Sequence, residues 1–144
     1  MPPARGASTT TSGISLLIVE DSAIVRRRLV ELVSEVPLVS IIGAAATGGE
    51  ALDLFREYQP DAVLLDLELP GISGIELIPR FKEMDGLSFL IVLTTYAIRQ
   101  IREHCLDLGA DCFLSKSTEF ARVPGILRML DRKKANGRLV PAGD

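Results

Sequence analysis

The chain has 144 residues and a formal net charge of −3, with 47% hydrophobic and 24% charged residues. This balance is typical of one globular domain that buries its own core, and it excludes a disordered or fibrous chain. The negative charge argues against a broad nucleic-acid surface, and no apolar stretch reaches the roughly 20 residues that span a bilayer. We therefore expect a cytoplasmic protein that binds neither nucleic acid nor membrane.

The chain alternates between strand and helix patterns after a predicted flexible leader over residues 1–13, which is rich in Pro, Gly, Ser and Thr. Short apolar runs predict strands over 16–19, 38–45, 61–66, 88–95 and 111–114. Helical periodicity predicts helices over 22–36, 47–58, from Ser73 onward, around 98–108 and over 118–131. Pro124 indicates a lead-in turn or a kink in the last helix. The predicted domain covers 14–131, with a flexible tail over 132–144.

Five strands that alternate with five helices predict an α/β fold with a doubly wound, five-stranded parallel sheet. The strands are apolar throughout, which is typical of a sheet covered by helices on both faces. In such sheets, ligands bind beyond the carboxyl ends of the strands, where the winding direction reverses. The polar residues that follow the predicted strands are Glu20, Asp21, Asp66, Thr94, Thr95, Ser115 and Lys116. We expect these side chains to meet at one edge of the sheet.

Three of these residues, Glu20, Asp21 and Asp66, are acids. Two carboxylates ~4 Å apart repel by about 4 kcal/mol at an effective dielectric constant of roughly 20, so three would not stay ionised together without a cation. Mg²⁺ suits such a site, because it takes oxygen ligands and keeps several waters. Lys116 can pair with a carboxylate or with an anion attached to it, and the Thr94 hydroxyl can hydrogen-bond to that anion. These groups together are the ones that stabilise phosphoryl transfer to an aspartate.

The order and separation of several motifs resemble the response-regulator receiver domain of two-component signalling, over most of the chain. The motifs are Val19-Glu20-Asp21-Ser22, the segment from Asp61 to Gly71 with Gly74 after it, Val92-Leu93-Thr94-Thr95, and the segment from Gly109 to Lys116. The resemblance implies a flavodoxin-like sheet with the strand order 2-1-3-4-5. It also implies a phosphoprotein that acts as a signalling switch and is not an enzyme.

The resemblance assigns roles to individual residues of the acidic site. Asp66 is expected to be the phosphoacceptor, and Asp21 is expected to bind Mg²⁺ directly. Glu20 would assist the metal directly or through water, and the backbone carbonyl of Glu68 would complete the metal shell. Lys116 would contact the phosphoryl oxygens.

The resemblance also implies a conformational switch and a set of partners. The Thr94 hydroxyl would move toward the phosphoryl group, and the Phe113 rotamer would follow it. Chemistry alone does not separate Thr94 from Thr95, and the spacing to Lys116 favours Thr94. The expected phosphoryl donor is a sensor histidine kinase or a phosphotransfer protein. The output partner is not identified by the sequence, and a homodimer through the face of the fourth helix, fifth strand and fifth helix is a further implied assembly.

Three positions depart from the common receiver pattern. Many receivers have Asp at the position of Glu20, and Phe113 replaces a frequent Tyr and so lacks its hydroxyl. Ser117 follows the lysine where many members have Pro. Because a cis peptide before a non-proline residue costs about 3 kcal/mol, we expect a trans peptide between Lys116 and Ser117.

Other functions fit only parts of the pattern. A Glu after one strand and Asp66-x-Glu68 after another resemble the acidic metal site of the Toprim fold, but Lys116 and the Thr94 hydroxyl have no role there. A phosphatase of the haloacid-dehalogenase type needs a second acid and a Thr after its nucleophile, in the region that Pro70 occupies. A pseudo-receiver that only binds a partner is disfavoured, because the acids, the hydroxyl and the lysine are all present.

Overall fold

The computed structural model describes residues 13–136 and contains one five-stranded parallel sheet in the order β2-β1-β3-β4-β5. The strands are β1 (Ile14–Val19), β2 (Val39–Ala45), β3 (Ala62–Leu65), β4 (Phe89–Thr94) and β5 (Cys112–Ser115). The helices are α1 (Ala23–Val33), α2 (Gly48–Tyr58), α3 (Gly74–Met84), α4 (Arg99–Leu108) and α5 (Val123–Ala135). The predicted α/β fold and its flavodoxin-like strand order are therefore confirmed.

The central strand β1 shows how the sheet divides the core into two layers. Leu17 and Val19 pack on one face of the sheet, against residues of α2, α3 and α4. Ile14, Leu16 and Ile18 pack on the other face, against residues of α1 and α5. Both faces are thus covered by helices, which explains why the strands read as unbroken apolar runs.

Three helices begin at side-chain caps, close to the positions at which the sequence predicts them to start. The hydroxyls of Ser22, Thr47 and Ser73 each accept a hydrogen bond from the N–H three residues later. Such caps satisfy N–H groups that have no partner within the helix. The cap at Ser22 starts α1 directly after the acidic pair, and the cap at Ser73 starts α3 soon after Asp66.

The end of α1 and the start of α5 differ from the predicted boundaries. α1 ends at Val33, three residues early, and the N–H groups of Glu35 and Val36 donate to the carbonyls three residues back, as in a tightened last turn. The last helix begins late, because a 3-10 turn over Phe120–Arg122 precedes it. Pro124 then lies in the first turn of α5, where its missing N–H costs little. The lead-in turn predicted at this proline is confirmed.

The C-terminal helix extends beyond its predicted end. α5 continues to Ala135, four residues past the predicted end of this helix at Asp131 and into the segment predicted as tail. The reason is a long-range contact: Lys134 Nζ lies 2.8 Å from Asp61 Oδ2, which anchors the last turn. The remaining residues of the predicted leader and tail, 1–12 and 137–144, lie outside the described residues. Between residues 13 and 136, no helix has the length and hydropathy needed to cross a membrane.

Candidate functional site

The candidate site lies at the carboxyl ends of β1 and β3, where the strand order reverses the winding direction. Val19 and Leu65 are paired at the ends of these strands, so the residues that follow them lie side by side. Those residues are Glu20 and Asp66, which are only 2% and 5% exposed. Two acids are therefore buried next to each other, as the strand pattern predicts.

Lys116 joins these two acids. Its Nζ lies 2.7 Å from Glu20 Oε1 and 3.3 Å from Asp66 Oδ2. The Ser22 N–H donates to the second Glu20 oxygen, Oε2, at 3.1 Å. Glu20 Oε1 is buried and has the Lys116 ammonium as its ion-pair partner. One ammonium thus faces two buried carboxyl groups.

Asp66 has a strongly perturbed acidity. Burial, followed by the charge of Glu20, raises the pKa of Asp66 from its ordinary value of 3.8 to about 6. Two opposing contacts limit the rise: the Glu68 N–H donates to Asp66 Oδ1 at 3.2 Å, and Lys116 contributes its positive charge. The Asp66 carboxyl is therefore mostly ionised near pH 7 but holds a proton much more readily than an exposed aspartate.

Lys116 stays a cation in spite of its surroundings. Burial alone would lower the pKa of its ammonium, but the contact with Glu20 and the charge of Asp66 outweigh burial and raise that pKa. A buried lysine that remains charged provides a fixed positive charge at the site. It can pair with a carboxylate or with an anionic group attached to Asp66.

The predicted switch residues lie on the two strands that follow β3 in the sheet, Thr94 at the end of β4 and Phe113 on β5. Thr94 ends β4 and is fully buried, and its hydroxyl accepts a hydrogen bond from the Tyr96 N–H at 3.2 Å. Thr95 is exposed, and its hydroxyl donates to Glu68 Oε1 at 2.6 Å. Phe113 is 9% exposed and packs in the core layer beneath α4. Thr94 and Phe113 are thus inside the domain, whereas Thr95 and Glu68 face solvent.

Asp21 is placed differently from the other two acids. Its side chain is exposed, because Asp21 already belongs to the turn that leads into α1. Across residues 13–136, no three His, Cys, Asp or Glu side chains lie close enough together to hold a metal ion by themselves. The structure therefore buries Glu20 and Asp66 as a pair and leaves the Asp21 side chain in solvent, and the metal site formed by all three acids stays a prediction.

Two supporting residues were missed by the sequence analysis. Arg26 donates to the carbonyl oxygens of Glu20 and Asp21, at 2.9 and 3.3 Å, and so braces the loop that carries both acids. Glu119 accepts from the Ser115 N–H at 3.0 Å, just before Lys116. The signal for Arg26 is its place in the first turns of α1, since helical side chains lean toward the N-terminus.

The peptide between Lys116 and Ser117 is trans, as expected, since the described part of the chain contains no cis peptide bond.

Curated proteins with similar sequences are longer than this chain. It is 35% identical over 125 residues to a protein-glutamate methylesterase/protein-glutamine glutaminase of Treponema pallidum, covering 85% of this chain and 30% of that protein. It is 38% identical over 103 residues to the transcriptional regulatory protein YdfI of Bacillus subtilis, covering 72% of this chain and 48% of that protein. The chain therefore spans about a third to a half of the length of these relatives.

The expectation that the protein is not an enzyme is wrong in the light of these relatives. Several of them, from Treponema pallidum, Methanospirillum hungatei and Bacillus licheniformis, carry the name of an enzyme. The prediction failed because it weighed only residues of the receiver-like segment. That segment makes up 30% to 39% of those proteins, so it holds no signal from the rest of their length.

Solved receiver structures share this fold. The response regulator domain of CheB from Thermotoga maritima matches with a TM-score of 0.73 and 28% identity, covering 86% of this chain and 97% of that one. The CheX–CheY–BeF₃–Mg²⁺ complex of Borrelia burgdorferi matches with a TM-score of 0.70 and 26% identity, covering 78% of this chain and 87% of that one. The family model for the response regulator receiver domain matches residues 16–128, a range that contains Glu20, Asp66 and Lys116. The chain belongs to the response regulator receiver domain family.

Proposed function

We propose that this receiver domain accepts a phosphoryl group on Asp66 from the phosphohistidine of a sensor kinase or a phosphotransfer protein. The observation that carries the proposal is the position of Lys116 Nζ, 2.7 Å from Glu20 Oε1 and 3.3 Å from Asp66 Oδ2. A cation held in advance beside the acceptor stabilises negative charge that develops on a transferred phosphoryl group. The two buried acids with Lys116 between them therefore suit phosphoryl transfer better than they suit partner binding alone.

In the proposed reaction, a carboxylate oxygen of Asp66 attacks the phosphorus of the donor. An O–P bond forms, the N–P bond of the phosphohistidine breaks, and its electron pair leaves on the imidazole nitrogen. Only the ionised carboxylate attacks, and a pKa of about 6 keeps most of Asp66 ionised near pH 7. Lys116 and the Glu68 N–H orient the carboxylate by contacting different oxygens, Oδ2 and Oδ1.

We also propose Mg²⁺ as the cofactor, because the residues present fit it. Glu20 and Asp66 share one ammonium, which leaves an excess of negative charge on their carboxylate oxygens, and the charge of Glu20 raises the pKa of Asp66. A divalent cation beside these oxygens would offset both effects. Glu20, Asp21 and Asp66 would hold it with the Glu68 carbonyl and water, since Mg²⁺ prefers oxygen donors and retains waters. When bound, Mg²⁺ supplies positive charge that neutralises the phosphoryl oxygens. The Borrelia CheY complex, which contains Mg²⁺ and BeF₃, supports this assignment.

The conformational switch is proposed to run through Thr94 and Phe113. The Thr94 hydroxyl accepts from the Tyr96 N–H, so its movement toward a phosphoryl group would break that contact and shift the β4–α4 loop. Tyr96 and Ile98 in this loop are 60% and 54% exposed. A shift of the loop would therefore change the face formed by α4, β5 and α5, which we propose as the surface for a homodimer or an output partner.

The output of this protein is proposed to follow its relatives, with a protein-glutamate methylesterase as the first candidate. Support comes from the names of several relatives and from the CheB domain structure. Hydrolysis of methylated glutamates, measured with and without acetyl phosphate, tests this candidate. An output in transcription, as in the name of YdfI, is the alternative outcome. A cytoplasmic location without direct nucleic-acid or membrane binding stays a prediction from composition.

The phosphoacceptor role is tested with acetyl phosphate and Mg²⁺, by mass spectrometry of the intact protein. We expect the wild-type chain to gain one phosphoryl group that hydroxylamine removes, because hydroxylamine cleaves acyl phosphates. Asp66→Asn should gain none, since an amide is a poor nucleophile. Asp107→Asn, which changes an exposed acid on α4, is the matched control and should behave like wild type.

Two results would contradict the phosphoacceptor role. One is equal labelling of Asp66→Asn and wild type. The other is a wild-type chain that neither gains a phosphoryl group nor binds beryllofluoride in the presence of Mg²⁺. The second result would favour a pseudo-receiver that only binds a partner.

A further inference from the structure

The loop that follows Lys116 is closed by hydrogen bonds between its own residues. A Glu119 carboxylate oxygen accepts from the Ser115 N–H at 3.0 Å, and the Glu119 N–H donates to the Ser115 carbonyl at 2.9 Å. The hydroxyls of Ser115 and Ser117 lie 2.9 Å apart, and the Ser117 N–H donates to Ser115 Oγ at 3.3 Å. Lys116 is thus enclosed by contacts that join the residues before and after it.

The contact from Glu119 falls on the outer edge of the sheet. β5 is the last strand, and the Lys116 N–H donates to the Thr94 carbonyl on β4 at 2.9 Å. Because successive N–H groups of a strand point in opposite directions, the Ser115 N–H points away from β4. Glu119 supplies its acceptor, and this contact, followed by that with Arg122, lowers the pKa of the Glu119 carboxyl. The backbone at Lys116 is therefore held by β4 on one side and by Glu119 on the other.

We propose that Glu119 is a positioning residue for Lys116, an inference that rests on the phosphoacceptor function proposed for Asp66. Its carboxylate fixes the end of β5, so that the Lys116 ammonium spans Glu20 and Asp66. Lysine has a long, flexible side chain, and a small rotation of its backbone displaces Nζ from both acids. A proline after the lysine would restrict this loop covalently, whereas Ser117 leaves that task to hydrogen bonds.

The proposal is tested by comparing Glu119→Ala with Glu119→Gln in phosphorylation by acetyl phosphate and Mg²⁺. The glutamine keeps an oxygen that can accept from the Ser115 N–H. We expect Glu119→Ala to lower the maximal rate about tenfold with a smaller change in KM, and Glu119→Gln to restore most of the rate. Arg122→Ala removes the other partner of Glu119, at 2.7 Å, and should leave the rate unchanged.

A second measurement reports the lysine itself. The NMR resonance of the Lys116 Cε, assigned with Lys116→Arg, should shift in Glu119→Ala and stay in place in Glu119→Gln. The inference is overturned if Glu119→Ala leaves the rate and this resonance unchanged, or if Glu119→Gln loses as much rate as Glu119→Ala. A wild-type chain that forms no adduct overturns the proposed function, and the resonance then decides the positioning role alone.

Discussion

Asp66 is the residue whose function opposes the stability of the fold. Burial and the neighbouring Glu20 raise its pKa from 3.8 to about 6. Between these two values, the folded state binds the Asp66 proton more tightly than the unfolded state does. The Asp66 carboxyl therefore supports folding at low pH, and this contribution is lost as the pH rises through about 6. The ionised Asp66 carboxylate that acts as the proposed nucleophile near pH 7 therefore lowers the free energy of unfolding.

This cost predicts the behaviour of Asp66→Asn. We expect the variant to exceed wild type in the free energy of unfolding near pH 7, by about 1–3 kcal/mol, because it buries a neutral amide in place of a carboxylate. The difference should vanish toward about pH 4, where Asp66 is protonated in the folded protein. Urea unfolding of both proteins across this pH range measures it, with Asp107→Asn as the control. A difference that grows as the pH falls would contradict the prediction.

At the scale of the helices and strands, α3 begins directly against the strand end that carries Asp66. A Cβ at Gly74 would lie 2.5 Å from the Leu67 Cα and would overlap the Asp66 carbonyl oxygen. The Gly74 N–H also donates to the Leu67 carbonyl at 3.0 Å. The close approach of α3 to β3 therefore requires glycine for lack of space, not for an unusual backbone conformation.

Gly74→Ala is therefore expected to destabilise the domain and to disturb the site together. The free energy of unfolding should fall by roughly 2–4 kcal/mol, because main-chain atoms must move to admit the methyl group. Gly49→Ala in α2 is the control, since a Cβ there meets nothing within 4 Å. That variant should gain up to about 1 kcal/mol from a less flexible unfolded chain. Equal guanidinium midpoints for the two variants would show that the crowding at Gly74 is relieved without cost.

What the sequence could predict at this scale depends on how local each signal is. The caps at Ser22, Thr47 and Ser73 and the turn at Pro124 are local, so their positions could be predicted. The meeting of Glu20 with Asp66 could be predicted as well, because parallel strands bring their carboxyl ends to one edge. Contacts of a single side chain with a backbone group elsewhere in the chain could not be predicted. Many arginines and glutamates lie at similar distances from the site along the sequence, and only the folded structure shows that Arg26 and Glu119 make these contacts.

At the scale of the whole molecule, the candidate phosphorylation site and an anchoring contact lie at opposite ends of the strands. Asp66 follows the carboxyl end of β3, and Asp61 precedes the amino end of the same strand. Asp61 is 2% exposed, and its Oδ2 accepts from the Ser15 N–H at 2.9 Å and from Lys134 Nζ at 2.8 Å. The last turn of α5 is thereby fixed to β1 and β3.

Lys134→Met tests this separation of stability from chemistry. The Lys134 side chain is only 10% exposed, and its removal takes a cation from the buried Asp61 carboxylate, so we expect a loss of about 2–4 kcal/mol in the free energy of unfolding. Lys133→Met, at an exposed position one residue away, should leave stability nearly unchanged. Phosphorylation of Asp66 should stay within about twofold of wild type in both variants, because distant sites contribute independently. Guanidinium unfolding and acetyl phosphate labelling measure the two properties.

Coincident unfolding curves for the two variants would show that Lys134 does not anchor α5. If Lys134→Met lost labelling rate as well as stability, the two ends of the strands would be coupled.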